Sequence, residues 1–301
     1  MPPSSASADT VLAVAVEPGR LSAGLVDRRG DVLVRDRVGT PTREVWRSLE
    51  QLVRRVLAAR PDETPAPSIV GVACPGPVDV VAGSVSPVSL PGWSGFPLRT
   101  QLSELTKLPV VLDTSAGAFA EGELRFGDTT DASSFVTLQL DQEVESACII
   151  DGVRLRGAHG NAGSLAHITV DPDGPVCTCG AAGCLRAFAA QPMLEAELNR
   201  PLRRATASIV ERTGLMVGRA IASTAAVFDV TTFLVAGSVV DTFGDAMLTT
   251  VRREVAARCR LDHLLSIEVL EPSGYLSPLT AAAAVALAAP DAAELGADRS
   301  A

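Results

Sequence analysis

The feature that most constrains this chain is a cluster of three cysteines, Cys177, Cys179 and Cys184, with His167 a short predicted strand upstream. Three thiolates and one imidazole can surround a tetrahedral Zn²⁺, and the two glycines between the last two cysteines let the chain double back. The alternative is three unrelated buried thiols, because free cysteine is among the most buried residue types. Half of the six cysteines lie in this one turn, which favours the zinc site. With all four ligand positions filled, such a site is structural and does not indicate a reaction.

Composition excludes several classes of protein. The chain has 301 residues and 47% hydrophobic content, which is enough for two domains with their own cores. Its formal net charge is −9 and no Lys/Arg cluster is dense, so direct nucleic-acid binding is not expected. No apolar stretch approaches the ~18 residues of a membrane span, and the start lacks the basic region of a signal peptide. The other cysteines, Cys74, Cys148 and Cys259, are isolated in apolar segments, which fits a reducing, cytoplasmic location.

Two similar groups of strands organise the chain. Each group has a long apolar strand, a second strand after a short turn, and a third after a glycine-containing hairpin. The repeated pattern predicts an internal duplication. The predicted strands are 10–16, 21–26 and 32–34 in the first group, and 134–140, 147–150 and 153–155 in the second.

Helical periodicity alternates with further buried strands, which indicates an α/β protein. The predicted helices are 43–59, 98–106, 115–126, 191–198, 203–228, 244–257 and 279–289. The further strands are 68–73, 108–112, 232–236 and 266–270.

Several motifs resemble those of the ROK family (repressors, open reading frames and sugar kinases). Gly163-Ser-Leu-Ala-His167 followed by the cysteine cluster is similar to the signature of that family. Residues 71–79 resemble its glycine/proline turn, 90–98 its loop near the sugar, and 12–27 its first phosphate loop. Val235-Ala-Gly-Ser238 is similar to its adenosine-side glycine pair. The motifs occur in the expected order over nearly the whole chain.

The resemblance implies an actin-like ATPase (ribonuclease H-like) fold, in which two α/β lobes face a nucleotide cleft. Members are typically cytoplasmic homodimers or tetramers, and the enzymes phosphorylate hexoses or N-acyl hexosamines with Mg²⁺-ATP. A sugar or sugar derivative and a second copy of the chain are therefore the expected partners. The predicted domains are an N-terminal lobe 10–112 with the helix 279–289 packed on it, a C-terminal lobe 113–278 with the zinc loop 167–184, and flexible tails 1–9 and 290–301.

Asp113 is the candidate catalytic base. It stands at the end of a predicted strand, where the resembled kinases carry the aspartate that accepts the proton of the sugar hydroxyl. The other interpretation is an N-cap for the helix that starts at Ser115, because Asp often caps at such junctions. The two roles are compatible. Leu112 stands where the enzymes have asparagine.

The first phosphate loop departs from the family pattern, Asp-x-Gly-Gly-Thr. Ala15 stands where the enzymes hold Mg²⁺ with aspartate, Glu17 puts a negative charge where polyphosphate must lie, and Pro18 has no N–H to donate. Gly19, together with Ala236 and Gly237 on the adenosine side, remains as a candidate cofactor-binding position.

The second phosphate loop is equally altered. The family's Gly-Thr-Gly-Ile-Gly-Gly-Gly aligns with residues 141–147, where Asp141, Glu143 and Glu145 replace three glycines. Two like charges ~4 Å apart repel by roughly 1 kcal/mol in water and by several times more when partly desolvated. ATP binding in the manner of the family is therefore predicted to be unfavourable.

The sugar side keeps part of its polar set. Ser164 and Arg186 stand where the family has glutamates, and Ser89 where it has asparagine. In the family the zinc histidine also touches the sugar. Arg186 could fork onto a sugar phosphate or sugar acid. The interpretation that we favour is that it is solvated or pairs with Asp113 or a carboxylate of 141–145. The candidate substrate-binding residues are Ser89, Asp113, Asn161, Ser164, His167 and Arg186.

Three functions are consistent with these residues. The first is a catalytically degenerate ROK protein that keeps fold, zinc and a ligand pocket and acts in binding or regulation. The first lobe strand begins at about Thr10, which leaves no room for the helix-turn-helix of repressor members. Regulation would then go through a partner protein or an active paralogue. The second is an active ATP-dependent hexose or N-acyl-hexosamine kinase, the only reading that needs Mg²⁺-ATP. The third uses polyphosphate, against which the acidic loop argues equally. His159 and His263 are expected to be non-catalytic.

Overall fold

The structure is a computed structural model, and it describes residues 10–272, 274 and 276–289. The predicted tails 1–9 and 290–301 lie outside the described residues. The described chain divides into two compact units: residues up to 127 with 156–161 and the C-terminal segment from 276, and residues 128–155 with 162–274. The sequence had placed the boundary at 112/113. It lies later because the helix 115–126 packs against the C-terminal helix and a strand of the first unit.

The first unit is built on a five-stranded mixed sheet in the order β3-β2-β1-β4-β7. Strand β1 lies at the centre and pairs antiparallel with β2 and parallel with β4. Because both of its faces are covered, its residues form an almost continuous apolar run, whereas the edge strand β3 alternates. The strands are β1 Thr10–Glu17, β2 Arg20–Asp27, β3 Val32–Gly39, β4 Ile69–Cys74 and β7 Val110–Thr114.

Four helices and a short ribbon complete this unit. The alanine-rich helix α8 packs directly on the sheet, and a Cβ on Gly71 of β4 would lie 2.0 Å from the carbonyl oxygen of Ala282. Glycine is therefore required where helix and strand approach most closely. The elements are α1 Val45–Ala58, β5 Val78–Asp79, β6 Ser84–Val85, α2 Leu98–Thr106, α3 Ser115–Phe126 and α8 Pro278–Leu287.

The second unit repeats the pattern of the first. Its sheet has the order β10-β9-β8-β11-β12, again an antiparallel meander followed by two parallel strands. The internal duplication predicted from the sequence is therefore confirmed. The strands are β8 Phe135–Leu140, β9 Val144–Ile150, β10 Val153–Arg154, β11 Thr232–Ala236 and β12 Glu268–Leu270.

Two long helices, α6 and α7, cover this second sheet and pack closely on each other. Gly214 and Gly218 of α6 permit the contact, since a Cβ at Gly218 would lie 2.6 Å from the Cβ of Glu254 on α7. The helices are α4 Leu185–Ala189, α5 Gln191–Leu198, α6 Ala207–Phe228 and α7 Ser238–Arg258, with 3-10 turns at Leu202–Arg204 and Asp262–Leu264. None of the helices in the described ranges has both the length and the apolarity needed to cross a bilayer.

Several element boundaries differ from those predicted, and three of them, all in the second unit, differ by three residues or more at the start of the element. Strand β9 begins at Val144 rather than at 147, because Val144 pairs with Leu140 and shortens the hairpin. Helix α7 begins at Ser238 rather than at 244, with Gly244 as a break at φ 56° inside it. The predicted helix 203–228 is a 3-10 turn followed by α6, whose N-cap is Thr206.

Candidate functional site

The structure gathers the four predicted metal ligands. The ligand atoms of His167, Cys177, Cys179 and Cys184 all lie within 4.8 Å of one another. Cys177 Sγ is 3.7 Å from His167 Nδ1, and Cys179 Sγ is 3.7 Å from Cys184 Sγ. A tetrahedral site with Zn–S bonds of about 2.3 Å has ligand–ligand edges of roughly 3.6–3.8 Å. The donor set and its spacing fit one tetrahedral ion.

Local backbone bonds hold this loop. The Cys177 N–H donates to the carbonyl of Ala181, and an isolated bridge joins Thr169 to Cys184. Gly183 has φ 72°, and a Cβ there would lie 1.7 Å from the carbonyl oxygen of Asp171. Glycine is therefore needed for the chain to double back before the last ligand, as the sequence indicated.

Burial differs among the ligands. Cys177 and Cys184 are buried, whereas Cys179 and His167 are exposed. Burial raises the pKa of the Cys184 thiol to about 12, while the backbone N–H of Ala181 lowers the pKa of Cys179. Thiolates rather than thiols bind a metal, so metal binding at this cluster would release protons.

Asp113 is fully buried in strand β7. Its Oδ1 accepts a hydrogen bond from the N–H of Thr114 at 2.7 Å, and its Oδ2 lies 2.6 Å from Arg156 Nη1. The N-cap of α3 is Thr114, whose Oγ1 accepts from the N–H of Gly117. The capping role that the sequence offered for Asp113 is therefore wrong: the strand continues through Asp113 and the next residue caps.

Arg156 is the site residue that sequence reasoning missed. Its guanidinium binds Asp113 and lies 3.7 Å from Glu121, and its side chain is 35% exposed. It thus connects two buried carboxylates of the first unit. It follows strand β10, in a segment with no hydrophobic periodicity. The only sequence signal that could have found it is its closeness to the Gly163–His167 motif.

Two of the predicted substrate-binding residues in the first unit, Asn161 and Ser89, differ in their hydrogen bonding. Asn161 accepts from the N–H of Val78 at 3.0 Å and donates to its carbonyl at 2.7 Å, so that its amide clamps the backbone beside the cis Gly76–Pro77 bond. Ser89 Oγ is buried without a hydrogen-bond partner in the described part of the chain. A ligand hydroxyl could satisfy it.

Arg186 is buried in a bidentate ion pair with Glu143. Its Nε lies 2.6 Å from Oε2 and its Nη2 3.0 Å from Oε1, while Nη1 donates to Thr178 Oγ1 at 2.6 Å. Pairing with a carboxylate of residues 141–145 is thus the alternative that occurs, and hydrogen bonding to Glu143 raises the pKa of Arg186. Ser164, also in the second unit, is exposed.

The hairpin that corresponds to the first phosphate loop is a tight two-residue turn. Glu17 and Arg20 are paired across it, with Pro18 and Gly19 at the tip. Ala15, in the position of the family's aspartate, is 1% exposed. The side-chain hydroxyl of Thr40 donates to the carbonyl of Glu17 and so ties the turn to the end of strand β3.

In the hairpin that corresponds to the second phosphate loop, the carboxylates of the hairpin itself accept hydrogen bonds from neighbouring elements. Asp141 Oδ1 accepts from the N–H of Ser238, the first residue of α7, at 2.7 Å. Gly237 precedes it with φ 112°, and a Cβ there would lie 2.5 Å from the carbonyl oxygen of Leu140. An N-terminal helix N–H is a favoured position for an anion, and here the anion is an internal side chain.

The duplicated five-stranded sheets and the Cys₃His cluster define an α/β protein of the actin-like ATPase class, the fold of its solved relatives. A model of the ROK family matches residues 13–273, and the chain belongs to that family. The resemblance inferred from the motifs is thereby confirmed.

Relatives include enzymes and regulators. The glucokinase of Thermotoga maritima is 32% identical over 196 residues, which are 63% of this chain and 60% of that protein, so the chain spans less than two thirds of its length. A ROK hexokinase from Thermus thermophilus has a TM-score of 0.76 at 27% identity, covering 92% of this chain and 97% of that one. A ROK transcriptional regulator, a homologue of the E. coli MLC protein, has a TM-score of 0.81 at 20% identity, covering 92% and 77%, and this likeness shows the fold alone.

Proposed function

We propose that this chain is a ROK protein that binds a sugar or sugar derivative but has lost efficient phosphate transfer from ATP, and acts through ligand binding or regulation. The observation that carries the proposal is the second hairpin, where Glu143 is locked to Arg186 and Asp141 takes the first N–H of α7. Both interactions put internal carboxylates where the resembled kinases have glycines.

The energetic argument concerns the displacement of these carboxylates. An ATP phosphate that bound the first N–H of α7 would have to break the hydrogen bond that this N–H donates to Asp141. A phosphate beside Glu143 would be repelled by that carboxylate. It could attract Arg186 only by breaking the two hydrogen bonds that Arg186 donates to Glu143. Separating a buried ion pair leaves uncompensated charge and costs about 3–5 kcal/mol. The turn at Glu17 and Pro18 adds a further charge and removes a donor.

The candidate base supports the same conclusion. To activate a sugar hydroxyl, Asp113 must accept its proton through a carboxylate oxygen. Its Oδ2 is engaged by Arg156 and its Oδ1 by the N–H of Thr114. Both carboxylate oxygens are therefore already engaged by groups of this chain, and a sugar hydroxyl would have to compete with them.

The cysteine cluster is proposed to hold one structural Zn²⁺ through His167, Cys177, Cys179 and Cys184. When bound, the ion neutralises the thiolates and fixes the loop. Similarity to the ROK hexokinase supports a sugar ligand, and the family resemblance supports a homodimer, as further parts of the proposal. The candidate sugar residues are Ser89, Asp113 and Asn161 in the first unit and Ser164, His167 and Arg186 in the second.

An ATP-dependent hexose or N-acyl-hexosamine kinase is the second candidate. It is favoured by the retained Asp113 and by similarity to a glucokinase and, at 25% identity over 244 residues, to the N-acetylmannosamine kinase of Haemophilus influenzae. It must accommodate the carboxylates at both hairpins.

Titration calorimetry with Mg²⁺-ATP, with and without glucose or N-acetylmannosamine, separates the two candidates. A ligand at a hundred times its dissociation constant stabilises a protein by about 2.7 kcal/mol, so thermal unfolding is a parallel readout. We expect no stabilisation by Mg²⁺-ATP and stabilisation by at least one sugar. Saturable ATP binding with sugar phosphorylation that Asp113→Asn abolishes would establish the kinase instead.

A further inference from the structure

A cavity of about 410 Å³ lies in the second unit, next to the segment that follows His167. It is lined by Thr169, Val170, Arg219, Ser223 and Arg258. Its volume is within the range of about 300–1,000 Å³ that holds small ligands. None of these lining residues carries a carboxylate.

Two arginines from different helices supply its charge. Arg219 lies in α6 and Arg258 is the last residue of α7. Both direct Nε to the same oxygen, Oε1 of Glu254, at 3.4 and 2.5 Å. Glu254 is 13% exposed, and Gly218 allows it to approach α6. One carboxylate for two guanidinium groups leaves a net positive charge in a chain whose formal net charge is −9.

Hydrogen bonds hold Arg219 in place, while Arg258 keeps N–H donors that a ligand could use. Arg219 Nη1 also donates to the carbonyl of Val170 at 3.0 Å, so its fork is held in place. Among the described residues, the hydrogen bonds of Arg258 use Nε alone, which leaves both terminal nitrogens available. Ser223 stands one helical turn after Arg219 on the same face, and its hydroxyl and that of Thr169 line the same cavity.

We propose that this cavity binds a phosphate group, either inorganic phosphate or the phosphate of a small phosphomonoester. Guanidinium forks match phosphate oxygens in bidentate geometry, and hydroxyls complete such sites as donors. The site is independent of the proposed function. It lies beside the metal loop, because Thr169 bridges to Cys184 and Val170 bonds to Gly183.

The test is calorimetric titration of the full chain with sodium phosphate and, separately, glucose 6-phosphate, at constant ionic strength. Arg258→Gln changes a side chain that is 47% exposed, and Arg260→Gln is its matched control, since it removes the same charge two residues further on outside the cavity. We expect saturable binding that Arg258→Gln weakens about tenfold or more and Arg260→Gln less than about twofold.

The two probes identify the source of the phosphate. Tighter binding of glucose 6-phosphate than of phosphate indicates a phosphomonoester, and equal binding indicates the inorganic ion. Arg219→Gln, followed by circular dichroism to check folding, should abolish binding of either. The proposal is overturned if neither probe binds saturably, or if Arg258→Gln and Arg260→Gln weaken binding equally.

Discussion

Arg186 and Glu143 form two parallel hydrogen bonds, 2.6 and 3.0 Å long, between a helix of the cysteine motif and the hairpin that corresponds to a phosphate loop. Both residues depart from the family pattern: glutamate is expected at the first position and glycine at the second. Because each change supplies the partner that the other needs, the pair is a compensated substitution. Arg186, whose charge suggested an acidic ligand, instead binds the carboxylate of Glu143.

The stability of this pair can be measured by chemical denaturation. Arg186→Met leaves Glu143 without its cation in a largely buried position, and we expect the free energy of unfolding to fall by about 3 kcal/mol. The double variant Arg186→Met/Glu143→Leu removes both charges and should recover most of that loss. The exposed pair of Glu211 and Arg253 is the control, and Glu211→Gln should cost less than about 1 kcal/mol. A double variant no more stable than the single one contradicts this account.

Metal content is the second prediction. The purified chain should carry about one Zn²⁺ per molecule, and Cys179→Ser should lose both the ion and much of the thermal stability, because ligand binding is coupled to loop folding. Cys259→Ser, which alters a buried thiol outside the cluster, should retain the metal. Elemental analysis and thermal unfolding with a chelator provide the measurements. Full zinc content in Cys179→Ser would remove that residue from the ligand set.

Local sequence patterns predict the clustering of His167 with the three cysteines and the duplicated sheets. The three cysteines lie within eight positions, so their spacing alone keeps the three thiols close together in the folded chain. The meander of each unit has alternating strand and turn signals, which depend on neighbouring residues. The start of the second strand in this hairpin is predicted less well, since the sequence indicates a strand from residue 147 and β9 starts at Val144.

The ion pairs could not be read from the same patterns. Arg156 and Asp113 are 43 residues apart, as are Arg186 and Glu143, and no periodicity relates them. The sequence gives the carboxylates of 141–145 as candidate partners of Arg186, but it is also consistent with pairing to Asp113 or with a solvated side chain. Only the folded backbone selects Glu143. The same applies to the cavity proposed to bind phosphate, which combines residues of the helices α6 and α7 with Thr169 and Val170 of the segment after His167.

The pH dependence of stability has a contribution from Glu197, which accepts two hydrogen bonds from Arg212. Hydrogen bonding to Arg212 lowers the pKa of Glu197 below 4.5. A folded pKa below the unfolded one means that this stabilisation is present above about pH 4.5 and is lost as pH falls through the folded pKa. Because Glu197 is 43% exposed, the effect should be below about 1 kcal/mol.

The corresponding measurement compares the wild type with Glu197→Gln in urea titrations at pH 7 and pH 3. The variant should be less stable at pH 7, and the difference should shrink at pH 3, where the wild-type carboxyl becomes protonated. Glu211→Gln again serves as the exposed control. An equal difference at both pH values would mean that packing, rather than charge, stabilises the wild type.

The pair of Asp113 and Arg156 gives the last prediction. Arg156→Gln removes the cation 2.6 Å from a fully buried carboxylate and should lower the free energy of unfolding at pH 7 by about 3 kcal/mol. In the Asp113→Asn background the same change should cost much less, so that a double-mutant cycle gives a coupling of about 1–3 kcal/mol. Denaturation of the four proteins measures it. Additive effects would show that Arg156 does not compensate the buried charge of Asp113.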